Sequence, residues 1–305
     1  MLVLKFCGGL GNQMYQYAYG LKLKKYFPGC IIKKDTRDFR VTKYHYGYEI
    51  DKIFGNPAGF EEAGIRDLKE LRGELPAVLG GKISCITEPL RKAINEKFFS
   101  LKNENILDEQ FVDGFQLIEL GRTCFSDRDF YVQGFWADIN YYLDELELLR
   151  TYLVFPEISE RRNLELVDKI RNASSVSVHV RRGDYVNSVF DVLTLEYYKK
   201  AIKYVENMMP HSYYFFFSDD VEYIEQNFQF VKNKIIVNWN RGKESWRDMQ
   251  LMSCCKGNII ANSTFSQWGA LLNDNKDKIV IYPGRKTKNI EMEELNIPGW
   301  YKAEV

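Results

Sequence analysis

In the second half of the chain, short apolar runs alternate with amphipathic stretches. Residues 175–180, Ser-Val-Ser-Val-His-Val, alternate strictly, which predicts a half-exposed strand. Residues 194–208 predict a helix, and residues 213–217, Tyr-Tyr-Phe-Phe-Phe, a buried strand. That strand ends in Ser218, Asp219 and Asp220, acids that suit the start of a helix over 221–228. Further strands are expected at 235–237, 258–261 and 278–282. Helices are expected from 245 to about 255, opened by a capping-box-like Ser245-Trp-Arg-Asp248, and over 264–272. Five strands alternating with four helices are the arithmetic of a parallel, doubly wound sheet.

The first half repeats the theme less cleanly. Residues 2–6 read as a strand, 7–13 as a glycine-rich loop, 14–27 as a helix and 30–33 as a strand. Helices at 60–71 and 138–153 and a strand at 131–133 follow, while 37–49 takes no assignment. Pro156 cannot continue a preceding helix, so a boundary is placed there. The expected domains are 1–155 and 156–305, with the last ~20 residues packing back on the first.

Composition narrows the classes. The chain has 305 residues, 45% apolar and 28% charged, as for an ordinary globular protein. Lys+Arg and Asp+Glu are equal at 42, which argues against a nucleic-acid partner. No apolar run approaches the roughly 18 residues of a membrane span, and no signal segment is recognisable. The expected location is cytoplasmic, with peripheral association at the inner face of the membrane left open. Cys7, Cys30, Cys85, Cys124, Cys254 and Cys255 show no CxxC spacing and read as free thiols. His45, His179 and His211 have no zinc-ligand spacing.

Ligands of open α/β sheets bind beyond the carboxyl ends of the strands. Those ends carry Gly8-Gly-Leu-Gly-Asn-Gln13, His179-Val-Arg-Arg-Gly-Asp-Tyr185, Ser218-Asp-Asp220 and Asn262-Ser-Thr-Phe-Ser266. The first lacks the last glycine of the dinucleotide fingerprint, and there is no P-loop. The alternative is a plain turn. Alternation puts Ser177, His179 and Arg181 on one side of their strand. Arg181 and Arg182 beside Gly183 can neutralise a diphosphate; the alternative is a surface ion-pair cluster. Ser218 and the two aspartates could be only an N-cap, or Asp219 could accept from a guanine edge. Ser263, Thr264 and Ser266 lie where a helix N-terminus would offer free N–H groups to an anion. Asp127-Arg-Asp129 matches a metal-holding DxD pattern but precedes a strand rather than following one, and is rejected. Lys22-Leu-Lys-Lys25 reads as the wet face of a helix.

Together these segments resemble the bacterial α-1,2-fucosyltransferases of glycosyltransferase family 11. The resemblance rests on GGLGNQMYQYA at 8–18, HVRRGDY at 179–185, FSDD at 217–220 and the stretch 248–272, with Tyr131-Val-Gln-Gly-Phe-Trp136 as a further segment. It implies an α/β fold of GT-B architecture, two Rossmann-like domains with parallel sheets facing across a cleft. It implies transfer of L-fucose, with inversion, from GDP-β-L-fucose to the 2-OH of a terminal galactose. Neither cofactor nor metal is expected. The partners implied are GDP-L-fucose and a galactose-terminated glycan.

By the same resemblance, donor-binding residues are Gly9, Gly11, Asn12, Gln13, His179, Arg181, Arg182, Ser218, Asp219, Ser263, Thr264, Phe265 and Ser266. His179 and Asp219 would face guanine, Arg181 the β-phosphate. Arg181 and Asp184 are the catalytic candidates, Asp184 either as base or as an orienter of the arginines. Gln267 and Leu271 stand where the family often has Trp. The alternatives are a GT-B transferase of another GDP-sugar or linkage, and a nucleotide- or glycan-binding α/β protein without turnover.

Overall fold

The computed structural model describes residues 1–41, 45–72, 105–292, 295 and 297–303. The chain divides into two compact units, one of residues 1–137 with 141–152, the other of 138–140 with 153–305.

The first unit holds strands β1 (Leu2–Lys5), β2 (Ile32–Asp35), β3 (Glu61–Glu62), β4 (Ile106–Asp108) and β5 (Phe130–Gln133). They form one parallel sheet in the order β3-β2-β1-β5-β4. Its helices are α1 (Leu10–Tyr26), α2 (Asp38–Val41), α3 (Ile50–Phe54), α4 (Ile65–Arg72), α5 (Gly114–Cys124) and α6 (Leu146–Tyr152). Helix α1 is buried on nearly every face from Leu10 to Leu23, with Tyr15, Tyr17 and Tyr19 wholly inside. The helix begins at Leu10, four residues earlier than its sequence predicts, because Gly9 caps it without a side chain. Gly11, Asn12 and Gln13 therefore belong to its first turn.

Other local expectations shift too. The strand expected at 30–33 is β2, and the helix expected at 60–71 is β3 followed by α4. The stretch 138–153 is two 3-10 turns, Ile139–Tyr141 and Leu143–Glu145, before α6. Lys22 is not on a wet face: it is buried, donates to the Tyr141 carbonyl and pairs with Glu145 at 3.3 Å. Burying a lysine demands such a partner.

The second unit holds β6 (Ser175–Val180), β7 (Tyr213–Ser218), β8 (Lys234–Val237), β9 (Gly257–Ile259), β10 (Ile279–Pro283) and β11 (Trp300–Ala303). They form a parallel sheet in the order β11-β10-β9-β6-β7-β8. Its helices are α7 (Arg161–Asn172), α8 (Leu195–Met208), α9 (Val221–Asn227), α10 (Trp246–Ser253) and α11 (Thr264–Leu271). The sixth strand corrects the sequence expectation: residues 300–303 extend this sheet alongside β10.

Strand β6 is buried along its whole length, where alternation predicted one half-exposed face. Val176, Val178 and Val180 pack on Tyr197, Tyr198 and Ala201 of α8. The other side is polar yet dry, because Asn258 donates to Ser177 at 2.7 Å and Ser175 accepts from the Lys256 N–H at 3.1 Å. Alternation here records chemistry, not exposure. Ser245 makes no side-chain cap; a 3-10 turn, Gly242–Glu244, leads into α10 instead, and Asp248 accepts from Asn240 at 2.8 Å. Among the described residues no helix is long and apolar enough to cross a membrane. Cys7, Cys30, Cys124, Cys254 and Cys255 are free thiols; Cys85 lies outside the described residues.

Candidate functional site

In the second sheet the strand order reverses once, and such a switch point leaves a crevice at the strands' carboxyl ends. It falls between β6 and β9. The loop after β6 carries residues 181–185 and the loop after β9 carries 260–263.

Arg181 leaves β6 between two carboxylates. Its Nη1 lies 2.7 Å from Asp219 Oδ2 and its Nη2 2.5 Å from Asp184 Oδ1. Five N–H groups project from a guanidinium, so three remain for a ligand. Arg182 bonds Asp220 through Nε at 3.0 Å, and its guanidinium lies 3.8 Å from the centre of the Tyr223 ring. The Arg182 N–H reaches Asp219 Oδ1 at 2.9 Å. Asp219 thus fixes both arginines at once. Gly183 makes this approach possible, since a Cβ there would meet Asp219 Oδ2 at 2.5 Å.

The adjoining residues hold the turn. Ser218 Oγ donates to the Val180 carbonyl at 2.7 Å and accepts from the Asp220 N–H at 3.0 Å. Asp220 caps α9 by accepting from the Tyr223 N–H at 2.9 Å. Tyr185 stacks on Phe190, centroids 5.0 Å apart, and shares a hydrogen bond with Ser263.

His179 is buried next to Phe265, ring centroids 5.8 Å apart, and its Nδ1 has no hydrogen-bond partner. Burial first, and the Arg181 charge second, push its pKa down to about 3. It is a neutral imidazole across the ordinary pH range, with one ring nitrogen unsatisfied. After β9, Asn262 donates to the carbonyls of Phe190 at 2.9 Å and Lys286 at 2.8 Å. Ser263 caps α11 by accepting from the Phe265 N–H, and Thr264 opens the helix. Ser266 faces inward, accepting from the Ala261 N–H at 3.2 Å. Gln267 and Leu271 are buried in α11.

In the first sheet β1 is central, between β2 and β5, and its carboxyl end leads into the glycine loop. Gly8, with φ +78°, turns the chain over Asn12, and Gly9 lies against the His45 ring. Two glutamines hold the loops. Gln13 donates to the carbonyls of Gly8 at 3.0 Å and Gly47 at 2.9 Å, and accepts from the Glu49 N–H at 2.8 Å. Gln16 bridges the Cys7 N–H at 3.0 Å and the Gly134 carbonyl at 3.0 Å. Gln13 is completely buried, so its amide is committed to the loops rather than presented at the surface. Asp127 and Asp129 sit at the amino end of β5, opposite to the carboxyl ends of the strands. Among the described residues no three His, Cys, Asp or Glu side chains converge as metal ligands.

Sequence reasoning finds the arginines, His179 and the 263–266 loop, and the structure brings these together. It misses Tyr223 under Arg182, the Tyr185–Phe190 stack and the glutamine clamps. Tyr223 was findable, three residues beyond the Asp220 cap on the same first turn.

Parallel α/β units with a cationic loop at a switch point form the frame on which nucleotide-linked substrates are commonly held. The family model of Glycosyl transferase family 11 matches residues 85–304. An O-antigen biosynthesis glycosyltransferase of Escherichia coli, WbnK, is 32% identical over 96% of this chain and 97% of its own. An alpha-1,2-colitosyltransferase of Escherichia coli is 33% identical over 97% of this chain and 94% of its own. Among solved structures, fucosyltransferase NodZ from Bradyrhizobium is similar in fold, with a TM-score of 0.52 at 16% identity, covering 89% of this chain and 92% of that one. NodZ alpha-1,6-fucosyltransferase co-crystallised with GDP has a TM-score of 0.53 at 17% identity, covering 89% and 91%. The chain belongs to glycosyltransferase family 11.

Proposed function

We propose that this protein transfers L-fucose from GDP-β-L-fucose to the 2-OH of a terminal galactose, with inversion and without a metal. The observation that carries the reading is the Arg181 guanidinium, fixed by Asp184 and Asp219 at the switch point of the second sheet, with three N–H groups left. A departing GDP gains negative charge on its β-phosphate as the sugar–oxygen bond breaks, and a pre-aimed guanidinium stabilises that charge without reorganising. Asp184, ion-paired to Arg181, serves as its orienter rather than as the base. His179 and Phe265 make the apolar, neutral floor of the guanine site, the unsatisfied Nδ1 accepting or donating to the base. The first N–H groups of α11, beyond Ser263, add donors for phosphate oxygens.

The α-1,2 linkage is supported by the relative whose name carries it, and the GDP donor by the NodZ fold. A second reading, a colitosyl donor in place of the fucosyl one, is favoured by that same relative's 33% identity. Both predict the same phosphate site and differ only at the sugar.

Incubation with GDP-L-fucose and a panel of β-galactosides, followed by determination of product linkage by NMR, tests the reading. An α-1,2-fucosylated galactoside is expected, formed equally well in excess EDTA. Transfer from a colitosyl donor alone selects the second reading. EDTA-sensitive transfer restored by magnesium removes the metal-free mechanism.

A further inference from the structure

Burial cannot hold the loop that follows Arg181, because Val189 and Phe190 are both exposed. Hydrogen bonds to its backbone must do so instead. The Lys288 N–H reaches the Val189 carbonyl at 2.9 Å, and the Asn262 side chain reaches the next carbonyl, that of Phe190, at 2.9 Å.

Asn262 follows β9 and is 5% exposed. An asparagine in a loop ordinarily bonds its own turn. Here both N–H groups of one amide leave the loop, for carbonyls 72 and 24 residues away. The second carbonyl, that of Lys286, belongs to a tight turn after β10. That turn is closed by the Met292 N–H on the Gly284 carbonyl at 3.0 Å and the Lys286 N–H on the Ile290 carbonyl at 2.9 Å. Loops from β6, β9 and β10 thus meet on one side-chain nitrogen.

From Phe190 the contacts continue to the guanidinium. Phe190 stacks on Tyr185, and the Arg181 Cζ lies 5.4 Å from the centre of the Tyr185 ring. Tyr185 shares a hydrogen bond with Ser263, the neighbour of Asn262, so the path closes on itself. Asp184, which holds Arg181, sits on the same 3-10 turn as Tyr185, Gly183–Tyr185. Whatever shifts Tyr185 therefore shifts a carboxylate partner of Arg181 as well. Arg181, Phe190 and Asn262 also line one small cavity.

We propose that Asn262 is a positioning residue for the donor diphosphate, acting through Phe190 and Tyr185 to hold Arg181 at a set distance from the start of α11. The assignment rests on the transferase reading above, in which those two places grip the phosphate oxygens. Only a primary amide offers two N–H groups from one nitrogen in so short a side chain. A displacement of about 1 Å in an aimed group can cost about 100-fold in rate, so a remote clamp of this kind matters to the chemistry.

The test compares GDP affinity, by calorimetry on the full chain, in wild type, N262D, R181A and the double variant. N262D keeps the shape of the side chain and replaces its two donors with an acceptor oxygen. It is expected to weaken GDP binding about tenfold in the wild-type background and less than about twofold in the R181A background, where no guanidinium is left to aim. With GDP-L-fucose and lactose, N262D should raise the donor KM by a similar factor. Equal weakening in both backgrounds, or unchanged GDP affinity beside a lowered melting temperature, overturns the assignment and makes Asn262 a brace of the fold. F190A, which removes the stack at an exposed residue, supplies the same pair of comparisons if N262D folds poorly. A wild-type protein that binds GDP without transferring removes the transferase reading, while the four affinities still decide the role of Asn262. A wild type that does not bind GDP removes both.

Discussion

The two strand-end loops solve the same geometric problem with opposite chemistry. After β6, Arg181 and Arg182 meet Asp184, Asp219 and Asp220 in a lattice of charges. After β1, the turn is held by two neutral amides, Gln13 and Gln16. In the second unit the acids are spent on aiming cations; in the first the loop is tied without charge. Charge is thus fixed in advance at the loop after β6 and takes no part in holding the loop after β1. Preorganised charge is what stabilises a leaving anion.

The largest effect should come from removing the fixed charge. Arg181→Ala is expected to lower transfer by about 100- to 1,000-fold with the melting temperature little changed. Steady-state kinetics decide it, and a variant keeping more than about a tenth of the rate ends the proposed role. Asp219→Asn should act on both arginines through their lost partner, raising the donor KM more than it lowers kcat.

Next in size is an acid-stability effect centred on His179. Its folded-state pKa is depressed to about 3, against an ordinary value of 6.5. Between those values the unfolded chain binds a proton that the folded chain does not. Stability therefore falls as pH drops from about 6.5 towards 3, and the contribution is fully present above that window. His179→Asn should flatten this part of the stability curve by a few kcal/mol, roughly the free energy of the shift. Urea denaturation at pH 7.5 and pH 5 measures it; equal pH slopes in both proteins would show that His179 takes up its proton in the fold.

How much of this was legible in the sequence depends on how far the cause lies from the residue. Arg181, Arg182 and Gly183 were readable because period-two alternation and strand-end chemistry are local. The start of α1 was not, because Gly9 caps the helix with no Ser, Thr or Asp to announce it. Lys22 looked wet because its partner, Glu145, is 123 residues away. Strand β11 owes its existence to pairing with β10. Asp219 was legible as an acid in the right place, but its double hold on Arg181 and on the Arg182 N–H exists only once β6 and β7 lie side by side.

A moderate effect is expected at the neutral clamp. Gln13→Leu would leave the Gly8 and Gly47 carbonyls and the Glu49 N–H without their partner. A buried polar group left unsatisfied costs about 1–3 kcal/mol, so a loss of about 3 kcal/mol in unfolding free energy is expected. Chemical denaturation should show it while GDP affinity stays the same. If GDP binding fell and stability held, the glutamine would be a ligand residue and the contrast between the two loops would fail.

The smallest effects separate the loops most cleanly, through one glycine in each. Gly8 needs its freedom of conformation: φ is +78°, where an alanine costs roughly 1–2 kcal/mol, and its Cβ would also meet Asn12 Nδ2 at 2.6 Å. Gly183 is not in that backbone region; what it provides is room, since a Cβ would lie 2.5 Å from Asp219 Oδ2. Gly8→Ala should therefore lower the melting temperature and leave the donor KM nearly unchanged. Gly183→Ala should do the reverse, pushing Asp219 off Arg181 and raising the donor KM by about tenfold or less, a cost near 1.4 kcal/mol. Measuring both quantities on both variants gives a two-by-two result, and a Gly183→Ala protein that loses stability instead of donor affinity would mean that Asp219 braces the fold rather than aiming the arginines.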